Sequence, residues 1–240
     1  MANARVTARA FAFQHVERIW MMSLIYEARW VFLEGILTTI KITIAASLLA
    51  FAMAFLAGLG RISPFAPLRW LALVYIEVFR GVALLVQLFW MFFVLPFFGI
   101  VLDPIVTAVL ALGLCNGAYG AEIVRGAIKS VPHGQSEAAC ALNYSRQQAL
   151  WKILIPQAIP MMLPPFGNLA IELLKATALV SLITVHDLSF QALTLQQTTM
   201  RTIEPFTVVL AGYFLIAIVI TGLFRLAERQ TNARLGRGAR

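Results

Sequence analysis

The chain has 240 residues, 60% of them hydrophobic and only 12% charged, with a mean hydropathy of +0.83. A soluble domain carries about 25% charged residues, so this composition excludes one and makes lipid the solvent for most of the surface. The formal net charge of +8 does not point to nucleic acid, because the basic residues cap apolar segments, as membrane topology requires, rather than forming one soluble patch.

Residues 1–30 mix Arg5, Arg9, Glu17, Arg18, Glu27 and Arg29 with aromatic and aliphatic residues. The charges recur too often for a spanning helix, no uninterrupted apolar core resembles a secretory signal, and an interfacial amphipathic helix is expected around residues 13–28. Leu33 to Leu59 reads as the first span, ended by Gly60, Arg61, Ser63 and Pro64. A half-apolar elbow follows over residues 65–81, overlapping the start of a second span from about Ala72 to Phe98. A third runs from about Pro104 to Ile123. The fourth begins after Pro156 and runs to about Val185, interrupted by Pro160, Pro164 and Pro165. Phe206 to Phe224 is the fifth. Each apolar core is near the ~20 residues that cross hydrocarbon. The fold class is therefore an all-α membrane protein of about five spans. It divides into an N-terminal segment (1–30), a membrane domain (31–228) and a basic tail (229–240), whose arginines suit anionic lipid.

Placing the N-terminus outside puts twelve of the nineteen Lys and Arg residues, from Arg61 to Arg240, on the cytoplasmic side and five outside, with Lys41 and Lys175 inside spans. The positive-inside rule favours that orientation.

One stretch in the middle of the chain cannot be a span. Gly117 to Pro156 carries Glu122, Arg125, Lys129, Glu137, Arg146 and Lys152, and is broken at Pro132 and Gly134 and again at Asn143. Two short helices separated by a tight turn are predicted, on the cytoplasmic side. The chain has no GxxxxGK[ST] phosphate loop. Cys115 and Cys140 are poorly placed for a disulfide, and His15, His133 and His186 are scattered without metal-ligand spacing. No catalytic or metal site is predicted, and the adjacent His186 and Asp187, with no nucleophile nearby, read as an external loop contact.

Glu137-Ala138-Ala139, a turn residue six positions after the glutamate and Ile155-Pro156 beyond it resemble the EAA loop of ABC importer permeases. The wider stretches AEIVRGAIKSVPHGQSEAACAL (121–142), QALWKILIPQAIPMMLPPFGNLAIELLKATAL (148–179) and FRGVALLVQLFW (79–90) are similar to the polar amino acid and opine uptake branch of that family. Four positions depart from its pattern. Asn143 stands where Gly is usual, a mild change because Asn is the next best residue in the left-handed conformation. Ala83 replaces a common Pro, and Ala176 and Ala178 replace an Asp and a Ser.

The resemblance implies a non-catalytic bacterial inner-membrane subunit that works with an ABC ATPase dimer, a second identical or homologous permease and a periplasmic solute-binding protein. No cofactor is expected in this chain; ATP and Mg belong to the ATPase. It also implies that residues Gln135, Ser136, Glu137, Ala138, Ala139 and Ala141 dock on the ATPase, the alanines allowing close approach. Asn143 would then set the angle of a second helix from Arg146 that ends at Pro156. Ionisable and polar groups near the membrane interior are candidates for the transport path. Gln87, Asn116, Tyr119, Glu122, Glu172, Lys175 and Thr177 are the set, with Glu172 and Lys175 three apart and able to pair. Internal ion pairing and interhelical hydrogen bonds remain the alternative for several of these. A self-sufficient secondary transporter or channel is the competing class; the small size and absence of a visible inverted repeat count against it.

Overall fold

A computed structural model describes residues 28–234. The interfacial helix expected over 13–28 therefore lies outside the described residues, apart from Ala28, as does the end of the basic tail.

The first helix among the described residues, α1 (Arg29–Ile62), is 34 residues long. At 1.5 Å per residue it reaches about 51 Å, more than the ~30 Å of hydrocarbon, so it tilts or projects beyond the membrane. From Ala46 onward its buried face is made of small residues, Ala46, Ala50, Ala54, Ala57 and Gly58. They pack against the small face of α4 (Pro104–Lys129), which buries Ala108, Ala111, Gly117, Ala118 and Ala121. A Cβ added at Gly58 would lie 2.8 Å from the Ala121 carbonyl oxygen, and one at Gly117 would lie 2.7 Å from Met53 Cβ. In lipid, helices gain by such close approach of backbones, since no hydrophobic effect separates one apolar surface from another. α4 starts cleanly because Asp103 Oδ1 accepts a hydrogen bond from the Ile105 amide at 2.8 Å and Pro104 opens the helix.

Between these two helices the chain departs from the expected second span. α2 (Ala66–Gly81) and α3 (Leu84–Phe89) are separate helices. α3 continues through a π turn (Trp90–Val94) and a 3-10 turn (Leu95–Phe98) that ends at Gly99 with φ 81°. The pair is bent by 101°. Val82 and Ala83 are extended, with ψ of 137° and 136°. A single helix from Ala72 to Phe98 is therefore corrected to a broken one. The Gln87 side chain holds the break: Nε2 donates to both the Phe79 and Val82 carbonyls at 2.8 Å.

The central loop carries α5 (His133–Ala141) and α6 (Arg146–Ala149). α6 runs through a π turn (Leu150–Leu154) into α7 (Ile155–Ala176), which ends in a 3-10 segment (Thr177–Ile183). Together these form one helical rod of 38 residues, Arg146–Ile183. Neither Pro156 nor Pro160, Pro164 and Pro165 breaks it, contrary to the sequence reading. Pro156 falls just after the π turn, where the hydrogen-bond register returns from i−5 to i−4, so its missing N–H costs little. α8 (Leu188–Thr199) and α9 (Ile203–Arg234) complete the described residues. α9 takes in Arg225 and Arg229, so the tail begins as helix. Four helices are long and apolar enough to span, and five if α2 and α3 form one bent span.

Candidate functional site

The two helices of the loop are joined by a closed set of hydrogen bonds. The Tyr144 amide donates to the Ala139 carbonyl at 3.0 Å and the Asn143 amide to the Cys140 carbonyl at 2.9 Å. Asn143 has φ 57°. That is a complete Schellman motif with a left-handed residue after the C-cap, and Asn pays less than other residues with a Cβ for that conformation. Ser145 then opens α6 with a capping box: its Oγ accepts from the Gln148 amide at 3.3 Å, and Gln148 Oε1 accepts from the Ser145 amide at 2.9 Å. The turn is therefore fixed at both ends, and α5 keeps a set angle to the rod that follows.

Most of α5 is exposed. Gln135, Ser136, Glu137, Ala138 and Ala141 are exposed, as are Asn143 and Arg146. Ala139 is the exception: at 1% exposure it packs on its own chain, so it cannot offer close approach to a partner. Gln157 Nε2 donates to Gln135 Oε1 at 3.0 Å, tying α5 back to α7. Pro156 is a residue of the continuous rod rather than the end of a short helix.

The broken span frames a cavity of about 310 Å³, lined by Arg80, Gly81, Val82, Ala83 and Leu84 on one side and by Cys115, Asn116, Tyr119, Glu172 and Ala176 on the other. Three candidate path residues, Asn116, Tyr119 and Glu172, meet here. Asn116 Nδ2 donates to the Leu112 carbonyl at 2.8 Å, which leaves its side-chain carbonyl oxygen available. Gln87 stands behind the wall as the clamp of the break. Glu122 is taken up by Arg125, whose Nε donates to Oε2 at 2.8 Å. Thr177 is fully buried and donates to the Leu174 carbonyl at 2.7 Å. Lys175 is exposed and does not line the cavity. Glu172 and Lys175, spaced so that they could pair, form no ion pair; the ion pairs among the described residues are Arg125–Glu122 and Arg201–Glu204. The residue that sequence reasoning missed is Arg80, whose guanidinium lies 5.2 Å from the centre of the Tyr119 ring. The signal was present in Arg80-Gly81, a cation beside a poor helix former at the end of α2.

Asp187 also differs from expectation. It is fully buried rather than an outward loop contact. Its Oδ1 accepts from the Phe190 amide at 2.9 Å, capping α8, and its Oδ2 accepts from the Tyr213 hydroxyl at 3.3 Å. Tyr213 Oη also lies 3.2 Å from Ser189 Oγ and 3.3 Å from Thr177 Oγ1. One tyrosine on α9 thus latches α8 and the end of the rod together. Burial raises the Asp187 carboxyl to about 6. His186 remains exposed and stacks on Phe190 at 4.6 Å.

Comparison with known proteins agrees with this architecture. Residues 46–232 match the model of the family described as binding-protein-dependent transport system inner membrane component. A probable amino-acid ABC transporter permease protein of Sinorhizobium fredii is 48% identical over 201 residues, 81% of this chain and 84% of that protein. The L-cystine transport system permease protein TcyB of Bacillus subtilis is 37% identical, covering 89% of this chain and 91% of its own. The glutamine transport system permease protein GlnP of Escherichia coli is 34% identical, covering 87% and 96%. Among solved structures, the crystal structure of an amino acid ABC transporter with histidines matches at a TM-score of 0.80 and 36% identity, over 86% of this chain and 96% of that one. The MetNI methionine ABC transporter, in an inward-facing conformation, shares the fold at a TM-score of 0.72 and 19% identity. The helical membrane architecture and the matches over most of its length show that this chain belongs to the family of binding-protein-dependent transport system inner-membrane components, the membrane-spanning permease subunits of ABC transporters.

Proposed function

We infer that the chain is the permease subunit of an ATP-driven importer for a polar amino acid or a related zwitterion. The single observation that carries the mechanism is the rod Arg146–Ile183. It starts at the exposed loop and carries Glu172 in the cavity wall, about 39 Å along the same helix. A partner that grips α5 moves the rod, because the Schellman turn and the capping box leave little slack between them. The partner is the ATPase dimer, which holds ATP and Mg and whose closure drives alternating access. α5 presents Gln135, Glu137, Ala138 and Ala141 to it.

The cavity suits a zwitterion. Arg80 offers five donors in a planar fork to a carboxylate, Glu172 accepts from an ammonium, and Asn116 and Tyr119 supply neutral polar contacts. Relatives named for cystine, arginine and glutamine support that class. On α7, Asn168, Glu172 and Lys175 are all exposed and lie on one face at spacings of four and three. Lipid does not tolerate such a row at membrane depth. A second permease, identical or homologous, covers it and shares a water-lined path. A periplasmic solute-binding protein delivers the substrate, and the complex lies in the bacterial inner membrane with the N-terminus periplasmic and both the loop and the C-terminus cytoplasmic. The test is Glu137→Lys in the complete transporter: it abolishes uptake while ATP hydrolysis continues unlinked to substrate. Unchanged uptake by that variant would defeat the docking role of α5.

A further inference from the structure

A second, larger cavity of about 1440 Å³ lies on the loop side of the protein. It is bounded by the end of α1, the start of α2, the end of α4 and the inner face of the loop. Its floor is apolar, with Leu56, Leu59, Ile128 and Leu154 among the lining residues. Its rim is basic: Arg69, Lys129, His133 and Arg146 line it, and no Asp or Glu does. Arg69, Lys129 and Arg146 make no ion pair among the described residues. Trp151 and Tyr144 add the aromatic groups that favour the membrane–water boundary.

We propose that this cavity is a binding site for an anionic phospholipid of the cytoplasmic leaflet. The floor is continuous with the ends of three membrane helices and takes the upper acyl chain. The unpaired cations take the phosphate, as basic pockets between membrane helices on the cytoplasmic side do. The volume exceeds the roughly 300–1,000 Å³ of a small-molecule site and leaves room for a headgroup with part of its chains. The site is separate from the ATPase-facing surface of α5. His133, Ser136 and Cys140, three and four residues apart, turn inward to the cavity, while Glu137, Ala138 and Ala141 do not line it. A lipid there braces the helix pair from beneath and makes coupling sensitive to leaflet charge. The proposal rests on the cytoplasmic placement of the loop.

The test uses the complete transporter in phosphatidylcholine vesicles that carry a trace of photoactivatable phosphatidylglycerol, or the same label on phosphatidylcholine. The glycerol probe labels the peptide around Cys140 to Trp151 several-fold more than the choline probe. Each cation near an anionic surface is worth enough to change occupancy about fivefold. Arg69→Gln or Lys129→Gln therefore each remove up to about fivefold of that preference, and in the double variant the glycerol probe labels no more than the choline probe does. Co-elution with the ATPase and an unchanged melting temperature show that the variants are folded. Equal labelling by the two probes, labelling unaffected in the double variant, or cross-linking from Cys140 to a protein chain in place of lipid overturns the proposal. Uptake measured in the same vesicles separates that failure from failure of the importer reading, since transport persists if only the lipid site is wrong.

Discussion

Gln87→Leu tests whether the broken span, rather than a straight helix, builds the transport cavity. Leu is close to Gln in size and equally at home in a helix, so the packing of α3 is largely kept. What disappears is the amide that donates at 2.8 Å to both the Phe79 and Val82 carbonyls, groups that the break deprives of helical partners. Two hydrogen bonds at about 0.6–1.5 kcal/mol each put the loss at about 1–3 kcal/mol. The wild-type amide leaves its own buried Oε1 without a partner, so relief of that group brings the net effect toward the lower figure. If the clamp holds the wall from Arg80 to Leu84, that energy appears in substrate handling, as a fall in uptake of about five- to hundredfold, with a raised KM, while expression and assembly with the ATPase persist. Gln87→Glu, equal in size but able to donate at most one O–H in place of two N–H groups, also falls. Transport assays in proteoliposomes at several substrate concentrations read both. Wild-type KM and maximal rate in the Leu variant would refute the positioning role of Gln87 and with it the account of the bend.

Two further predictions follow from local geometry. Asn143→Gly retains the φ 57° turn and leaves coupling intact, whereas Asn143→Val, β-branched at a left-handed position, costs about 1–2 kcal/mol. The Val variant raises ATP hydrolysis per substrate moved, and equal coupling ratios in the two variants would contradict the lever. The buried Asp187 has its carboxyl raised from 3.8 to about 6, so folding favours its protonated form: its contribution is fully present below about pH 4 and is lost as pH rises through 6. The shift corresponds to about 3 kcal/mol. Asp187→Asn keeps an oxygen for the Phe190 amide and cannot ionise, so the fall in melting temperature that wild type shows between pH 4 and 6 is reduced in the variant. Parallel melting profiles would contradict the assignment.

The parts of the fold that were legible from sequence are those with local chemical causes. Apolar run lengths give the spans, and Pro132, Gly134 and Asn143 punctuate the loop where its helices begin and turn. The misreadings have a common source, because they depend on partners distant in sequence or on register. The break at Gly81 is stabilised by Gln87, six residues on, through a side chain that reads locally as a lone polar group in a span. The prolines of α7 look like breaks, yet a π turn absorbs the first, and Pro164 and Pro165 lie on the exposed side of the rod. Glu172 and Lys175 have pairing spacing, but Glu172 joins the cavity and Lys175 does not. Asp187 follows an exposed histidine and reads as loop, while Tyr213, far along the chain, accounts for its burial. Asn116, Tyr119 and Glu172 were legible as candidates because polar residues in apolar segments are few. Arg80 is not distinguished in the sequence, because it reads equally well as a topological charge.

The central claim is that α5 engages the ATPase. A photo-cross-linking residue substituted at Glu137, in the assembled transporter within its native membrane, tests it most directly. The account predicts a cross-linked product with the ATPase subunit whose yield changes between nucleotide-free and ATP-bound states. A product formed only with the periplasmic binding protein or with the neighbouring permease would contradict it.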